Sequence, residues 1–178
     1  MSKEIIIIDK LNISDKSKKI IKAALRLIIK ILIILLVIFL VTTFIFGIHR
    51  LEGNTMYPAL KDGDLCITYK LEDYHAKDIV VYKVNNELKF GRIIACEGDT
   101  LDGDDEGILL NNSHIEEEVF YPTVITNTNL TLPITLNKDE FIILNDYRED
   151  INDSRTYGII TKDMIDSKVI FILRRRGL

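Results

Sequence analysis

The hydrophobic pattern divides the chain into a long apolar run near its start and a series of short alternating stretches after it. From Ile31 to Ile48 there is no charged side chain, and only Thr42, Thr43 and Gly47 are not strongly apolar. As a helix this run would be about 27 Å long at ~1.5 Å per residue, close to the ~30 Å hydrocarbon thickness of a bilayer. The pattern therefore predicts one membrane-spanning helix.

A cleaved secretory signal is the alternative interpretation of this run. The apolar region of such a signal normally has about 7 to 15 residues and is followed by small residues at the cleavage site. The run here is longer, and the segment Phe46 to Arg50 offers no such site. We therefore favour an uncleaved anchor at residues 23–49, which makes the lipid bilayer the first expected partner.

After Leu51 the pattern changes to the period of two that is typical of β-strands. Stretches rich in β-branched and aromatic residues are separated by Gly, Asp and Asn. They cover residues 65–69, 79–84, 87–95, 141–144 and 169–173. Asn85 and Asn86 predict a two-residue hairpin turn, because Asn tolerates a positive φ. The fold class is thus mainly β, with an antiparallel β domain at residues 50–178 after one N-terminal transmembrane helix.

Charge is distributed unevenly between these two parts. Residues 1–30 hold eight Lys or Arg and three Asp or Glu, a net charge of +5, whereas residues 31–178 have a net charge of -9. By the positive-inside rule the basic flank stays in the cytoplasm. We predict a basic cytoplasmic segment at residues 1–22 and a single-pass protein of the cell membrane with its β domain outside. The overall charge of -4 gives no reason to expect nucleic acid as a partner.

The sequence gives little reason to predict a metal site, and it does not settle whether a disulfide forms. The segment Asp102 to Gly107 resembles the start of a calcium loop, but Ser113 stands where a bidentate Glu is needed. The three histidines are scattered and have no ligand spacing. We expect no metal and no cofactor. Cys66 and Cys96 could form a disulfide outside the cell or remain buried thiols, and both alternatives stay open.

Four segments carry a family resemblance: EGNTMYPAL at 52–60, KDGDLCI at 61–67, GRIIACEGD at 91–99 and LNDYREDINDSRTYG at 144–158. In this order they resemble the type I signal peptidase family, membrane-bound serine proteases that cut signal peptides from exported preproteins. The residues that match the family's patterns are Gly53, Met56, Pro58, Leu60, Gly63, Asp64, Arg92, Ile94, Gly98, Asp99, Asp146, Arg148, Asp153, Ser154, Arg155 and Gly158. The resemblance implies a signal peptidase-like β domain.

The same resemblance assigns expected roles to the matching residues. Gly53, Met56 and Pro58 would shape the binding site around residue 55. The residues expected to have structural roles are Arg92, Asp99, Asp146, Arg148, Asp153, Ser154 and Arg155. The charged residues of the last segment could form a charge-assisted network beneath the site.

The departures from the family fall on its reacting groups. Thr55 stands at the position of the nucleophilic serine, and Gly91 at that of the general-base lysine. Ile151 replaces a serine that in the family helps to position the lysine. A desolvated lysine can take the proton of an adjacent hydroxyl, and glycine cannot. Losing a general base alone costs roughly 10²- to 10⁴-fold in rate.

Lys89 could act as a displaced base for Thr55. It lies two residues before Gly91 on the same strand face, about 6.6 Å away at ~3.3 Å per residue. The alternative is a solvated lysine at a strand edge, which we favour. Catalysis by Thr55 and Lys89 therefore stays an open but weaker hypothesis.

The resemblance is strongest to the catalytically degenerate signal peptidase-like proteins that Gram-positive bacteria need for pilus polymerisation. It implies a noncatalytic, membrane-anchored accessory or chaperone factor. Its partners would be pilin subunits, a sortase or an exported preprotein. The rival interpretation is an active signal peptidase, a serine-type endopeptidase in which Thr55 is the nucleophile. A third is a membrane-tethered β domain with structural duties only.

Overall fold

The computed structural model describes residues 15–104, 107–115, 119, 121, 123 and 129–174. It divides the chain into two units, Met1–Thr43 and Phe44–Leu178. Residues 1–14 of the predicted cytoplasmic segment lie outside the described residues, as do Asp105 and Glu106 of the acidic turn.

One helix, α1 (Asp15–Phe44), contains the long apolar run. Its segment Ile20–Phe44 is long and apolar enough to cross a membrane, and the leucine and isoleucine side chains along it are exposed. Each such side chain gains about 1.5–3 kcal/mol on leaving water, so hydrocarbon is the favourable surrounding for this helix. The N-terminal apolar helix predicted from the sequence is therefore present and suited to membrane anchoring.

The helix ends earlier than the apolar run does. The sequence predicted an anchor that continues to residue 49, but α1 stops at Phe44 and Phe46–Arg50 forms strand β1. These five residues pair antiparallel with the strand Leu65–Tyr69. Tertiary pairing thus decides the structure of a segment whose composition alone fits a helix equally well.

The second unit is built from short antiparallel strands. After β1 come β2 (Leu65–Tyr69), β3 (Ile79–Val84), β4 (Glu87–Ala95), β5 (Thr100–Asp104), β6 (Gly107–Leu110), β7 (Ser113–His114), β8 (Ile134–Thr135), β9 (Glu140–Leu144), β10 (Ile160–Thr161) and β11 (Ile165–Leu173). A one-turn helix, α2 (Ser154–Tyr157), precedes β10, and a 3-10 turn (Lys162–Met164) follows it.

Within the described residues these strands form two sheets. A seven-stranded sheet has the order β1-β2-β11-β3-β4-β9-β10, and a four-stranded sheet has the order β7-β6-β5-β8. All of the pairings are antiparallel. The predicted fold class, mainly antiparallel β with one N-terminal apolar helix, is confirmed.

The strand predictions agree closely with the structure. β2, β3 and β4 have the predicted bounds, whereas β11 begins at Ile165, four residues before the predicted stretch. Asn85 and Asn86 have φ values of 53° and 67°, as the hairpin turn requires. The β4–β9 ladder shifts register between Ile93 and Ala95, so the simple alternation of faces holds only up to that bulge.

The core of the β domain consists of clusters on both faces of β4. On one face Phe90 packs with Leu51, Met56 and Leu60. On the other face Ile93 packs with a separate group: Val80, Tyr82, Val84, Phe141, Ile143, Ile160 and Ile165. Strand β4 is therefore the element that both groups share, and it positions the residues around Gly91.

The two cysteines are free thiols in separate surroundings. Cys66 is buried in the cluster around Phe90, and Cys96 packs at the edge of the cluster around Ile93. Burial, helped by the nearby Asp64 carboxylate, raises the pKa of the Cys66 thiol to about 11. Cys66 is thus a protonated core residue at neutral pH.

We expect Ile93→Ala to lower the free energy of unfolding by about 2–5 kcal/mol, because Ile93 is fully buried and its truncation would leave a cavity. The control is Leu88→Ala on the same strand, where the side chain is 52% exposed and the change should be about 0.5 kcal/mol or less. Urea unfolding of the full-length chain in detergent, followed by tyrosine fluorescence, measures both. Equal losses would contradict this description of β4.

Candidate functional site

The segment that carries Thr55 is a loop held by the turn that follows it. The N–H of Gly53, which has a φ of 81°, donates to the Asp62 carboxylate at 2.8 Å. The Leu51 N–H donates to the Asp64 carbonyl, and the Leu51 carbonyl accepts from the Gly63 N–H, both at 2.9 Å. The 61–67 segment therefore fixes the start of the loop.

Two buried side chains fix the other end of this loop. Met56 and Leu60 are fully buried, and the Leu60 N–H donates to the Met56 carbonyl at 2.8 Å. Pro58 lies between them in the turn, where its ring restricts φ. Thr55 is partly exposed next to the buried Met56, so the packing of Met56 holds the backbone that carries the Thr55 side chain.

A second loop, residues 145–153, also contacts the backbone of Thr55. The Tyr147 N–H donates to the Thr55 carbonyl at 2.9 Å. This bond is made to the backbone and does not depend on which side chain stands at residue 55. The sequence segments 52–60 and 144–158, far apart along the chain, thus meet at the position of the predicted nucleophile.

A buried ion pair supports the second loop. Asp153 and Arg155 are 0% and 2% exposed, and their charged groups meet at 2.6 Å. The Asp153 carboxylate also accepts the Asn145 N–H at 2.9 Å. The Arg155 guanidinium donates to the carbonyls of Arg148 and Asp150 at 2.7 and 2.6 Å. The charge-assisted network expected from the sequence therefore lies inside the protein, where one pair satisfies several backbone groups.

Arg92 and Asp146 form a second charged pair. Arg92 donates two hydrogen bonds to the Asp146 carboxylate, at 2.7 and 2.6 Å, and a third to the Lys77 carbonyl at 2.9 Å. Asp146 is 3% exposed, so the bidentate geometry compensates for the loss of its hydration. This pair ties strand β4 to the start of the 145–153 loop.

Asp99 has a local structural role away from Thr55. Its carboxylate accepts hydrogen bonds from the Cys96 N–H and the Asn111 side-chain amide, at 2.9 and 2.8 Å. Burial raises the pKa of this carboxyl, but the hydrogen bonds outweigh burial and lower the pKa below its ordinary value. Asp99 therefore closes the turn after β4.

Residue 91, the position predicted for the family's base lysine, is closed. A Cβ atom built at Gly91 would lie 2.4 Å from Cγ2 of Ile143 and 3.1 Å from Cε1 of Tyr82. The Ile143 backbone is held in turn by a 2.9 Å hydrogen bond from its N–H to the Ser154 hydroxyl. Two side chains from the neighbouring strands thus occupy the space into which any side chain at residue 91 would project.

The hydroxyl of Tyr82 is a buried polar group in this packed region. The residue is fully buried, and no described residue hydrogen-bonds its hydroxyl. Burial raises the pKa of the Tyr82 phenol, and the nearby Asp153, Tyr157 and Asp150 raise it further. The hydroxyl is therefore neutral and is a poor candidate for a base.

Lys89 and Thr55 line the same cavity. Its volume is about 520 Å³, and its walls are residues 50–52 with Thr55, residues 87–90, and the polar group Asn145, Asp150 and Asn152. Lys89 Nζ lies 3.6 Å from the Glu87 carboxylate and 5.5 Å from the centre of the Tyr157 ring. Within the described residues no hydrogen bond joins Lys89 to Thr55.

Sequence reasoning missed three residues of this site. Tyr82 and Ile143 close the predicted lysine position, and Asn145 lines the cavity beside Thr55. One signal was present in the sequence, because a glycine inside a strand often marks the close approach of another group. Which neighbour fills the space depends on the register between strands, and that register cannot be read from a single sequence. Ile151, predicted to replace the family's second serine, is 50% exposed.

We expect Gly91→Ala to destabilise the chain by about 1–3 kcal/mol, because its Cβ would overlap Ile143. In the Ile143→Ala background the overlap is removed, so the same substitution should cost little or stabilise. The double-mutant cycle, measured by urea unfolding, should give a coupling of about 1–3 kcal/mol. The matched control is Gly91→Ala with Leu101→Ala, a fully buried residue of another cluster, where the two losses should add. Additivity in both cycles would show that position 91 is open.

Known proteins resemble this chain along most of its length. The family profile described as "Signal peptidase, peptidase S26" matches residues 24–174. Signal peptidase IB of Staphylococcus aureus (strain N315) is 28% identical over 171 residues, covering 84% of this chain and 89% of the relative. Inactive signal peptidase IA of S. aureus (strain Mu50 / ATCC 700699) is 29% identical over 154 residues, with 82% and 86% covered.

A solved structure, signal peptidase I from Enterococcus faecalis V583, is 16% identical and aligns with 57% of this chain and 100% of its own, at a TM-score of 0.48. The family profile spans the apolar helix, the Thr55 loop, strand β4 and the buried ion pair of the last segment. The chain belongs to the signal peptidase family, peptidase S26.

Proposed function

We propose that this chain is a noncatalytic signal peptidase homologue that binds an extended polypeptide segment without cutting it. The observation that carries the proposal is the closed position at residue 91, where Ile143 and Tyr82 fill the place of the base. Without a base the hydroxyl of residue 55 is a weak nucleophile. The methyl group of threonine adds further crowding around that hydroxyl.

An open strand edge supports the binding role. Strand β9 pairs with β4 only from Arg92 to Ala95, whereas β3 pairs with β4 from Glu87 to Arg92. Within the described residues, the outer edge of β4 from Glu87 to Gly91 has no partner strand, and the cavity lies along it. An extended segment can add to such an edge through main-chain hydrogen bonds.

The role that we propose is that of a membrane-anchored accessory or chaperone factor in pilus polymerisation at the cell surface. The basic segment before the helix would stay in the cytoplasm and the β domain would lie outside, where exported proteins emerge. Pilin subunits, a sortase or an exported preprotein would supply the bound segment. The relative named inactive signal peptidase IA supports the noncatalytic part of this proposal.

An active peptidase is the second candidate function. It is favoured by one observation, that Thr55 and Lys89 line the same cavity. In this alternative Lys89 would leave Glu87 and take the proton of the Thr55 hydroxyl. The chain would then cleave the signal peptides of specialised exported preproteins.

We expect the full-length chain in detergent to release no product from an exported preprotein, because glycine and not lysine stands at residue 91. Gel analysis of the reaction with time measures this, with S. aureus signal peptidase IB as the active control. Wild type, Thr55→Ala and Lys89→Met should be indistinguishable. Cleavage by the wild type that disappears in both variants would refute the noncatalytic proposal and establish the second candidate.

Deleting the gene in its host should reduce surface pilus polymers, seen as loss of the high-molecular-mass ladder on immunoblots of cell-wall extracts. Complementation with Thr55→Ala should restore the ladder, because the proposed role needs the groove and not the hydroxyl. The control is Gly91→Ala, which is expected to weaken the fold and to complement poorly. An unchanged ladder after deletion would exclude the role in pilus assembly but not the binding of extended segments.

A further inference from the structure

The open edge of β4 presents two chemically different faces to anything that pairs with it. Side chains alternate along a strand, so Glu87 and Lys89 lie on one face and Leu88 and Phe90 on the other. A segment added beside β4 would continue the sheet, and its own side chains would alternate between the same two faces. The chemistry of each face therefore restricts the sequence that can bind.

One face, which we call the apolar face, consists of Leu51, Leu88 and Phe90. All three line the cavity. Leu51 and Phe90 belong to the same buried cluster, whereas Leu88 is 52% exposed although it is a large apolar residue. An apolar side chain from the bound segment would cover Leu88 and remove its surface from water.

The other face, which we call the acidic face, consists of Glu87, Lys89 and Asp150. Glu87 and Lys89 alternate with Leu88 and Phe90 along β4, and Asp150 lines the same cavity as both of them. Lys89 is already engaged by Glu87 and by the Tyr157 ring. Across the cavity wall as a whole three carboxylates stand against two cations, because Glu52 adds a negative charge and Arg50 a positive one. The excess is therefore still negative, which favours a basic side chain on the bound segment.

We infer that the groove selects an extended segment in which apolar side chains alternate with basic ones. This inference rests on the proposed binding function and names the class of its ligand. The apolar side chains would pack on Leu88 and Phe90, and the basic ones would face Glu87 and Asp150. A segment of the same composition but without alternation could not place apolar side chains on the apolar face and basic side chains on the acidic face along its whole length.

Three labelled octapeptides test the inference by fluorescence anisotropy on the full-length chain in nanodiscs of zwitterionic lipid. They are alternating valine–lysine, the same residues as two blocks, and alternating valine–glutamate. Empty nanodiscs give the lipid background of each. The alternating lysine peptide should bind on the order of tenfold more tightly than the other two.

Glu87→Lys should weaken the alternating lysine peptide about fivefold, as expected for an exposed ion pair. Glu97→Lys makes the same change of net charge at an exposed position outside the cavity and should leave affinity unchanged. Leu88→Asp should weaken all binding, on the order of tenfold.

Equal affinity for the alternating and block peptides, or for the lysine and glutamate peptides, would overturn the inference while leaving groove binding intact. Equal effects of Glu87→Lys and Glu97→Lys would also overturn it. If none of the three peptides binds above the empty-nanodisc background, the proposed binding function itself fails.

Discussion

The candidate site depends on one buried ion pair, that of Asp153 and Arg155. This pair caps the backbone of a loop that has almost no hydrophobic core of its own. Asp153 holds the Asn145 N–H, and Arg155 holds two carbonyls of the loop. From that loop Tyr147 holds the Thr55 carbonyl. Removing one partner of such a pair commonly costs ~3–5 kcal/mol, so the loop and the groove wall that it forms depend strongly on this pair.

The support and the chemistry of the site are physically separate. The matching residues that remain act on backbone groups or on each other: Gly53, Met56, Pro58, Arg92, Asp146, Ser154 and the ion pair. None of those contacts uses the hydroxyl of Thr55 or needs a side chain at residue 91. A site of this construction can lose its reacting groups and keep its shape, which is the condition for turning a catalytic groove into a binding groove.

Sequence reasoning reached the features that follow from local patterns. The strands β2 to β4, the Asn85–Asn86 turn and the apolar helix all follow from periodicity and turn chemistry. It did not reach β1, because whether Phe46–Arg50 forms helix or strand is decided by pairing with β2. It also did not reach Tyr82 and Ile143, because their contact with Gly91 is set by register across three strands. Preferences of neighbouring residues can be read from the sequence, whereas the pairing of strands far apart along the chain cannot.

The packing at Gly91 also bears on how the sequence can change over time. A lysine introduced at residue 91 by one substitution would meet Ile143 and Tyr82. A smaller residue at 143 or 82 introduced first would leave a cavity in the core, at a typical cost of ~2–5 kcal/mol for a large-to-alanine change. In either order the intermediate is less stable than the present sequence. The packing around residue 91 therefore disfavours a lysine there unless Ile143 or Tyr82 also changes.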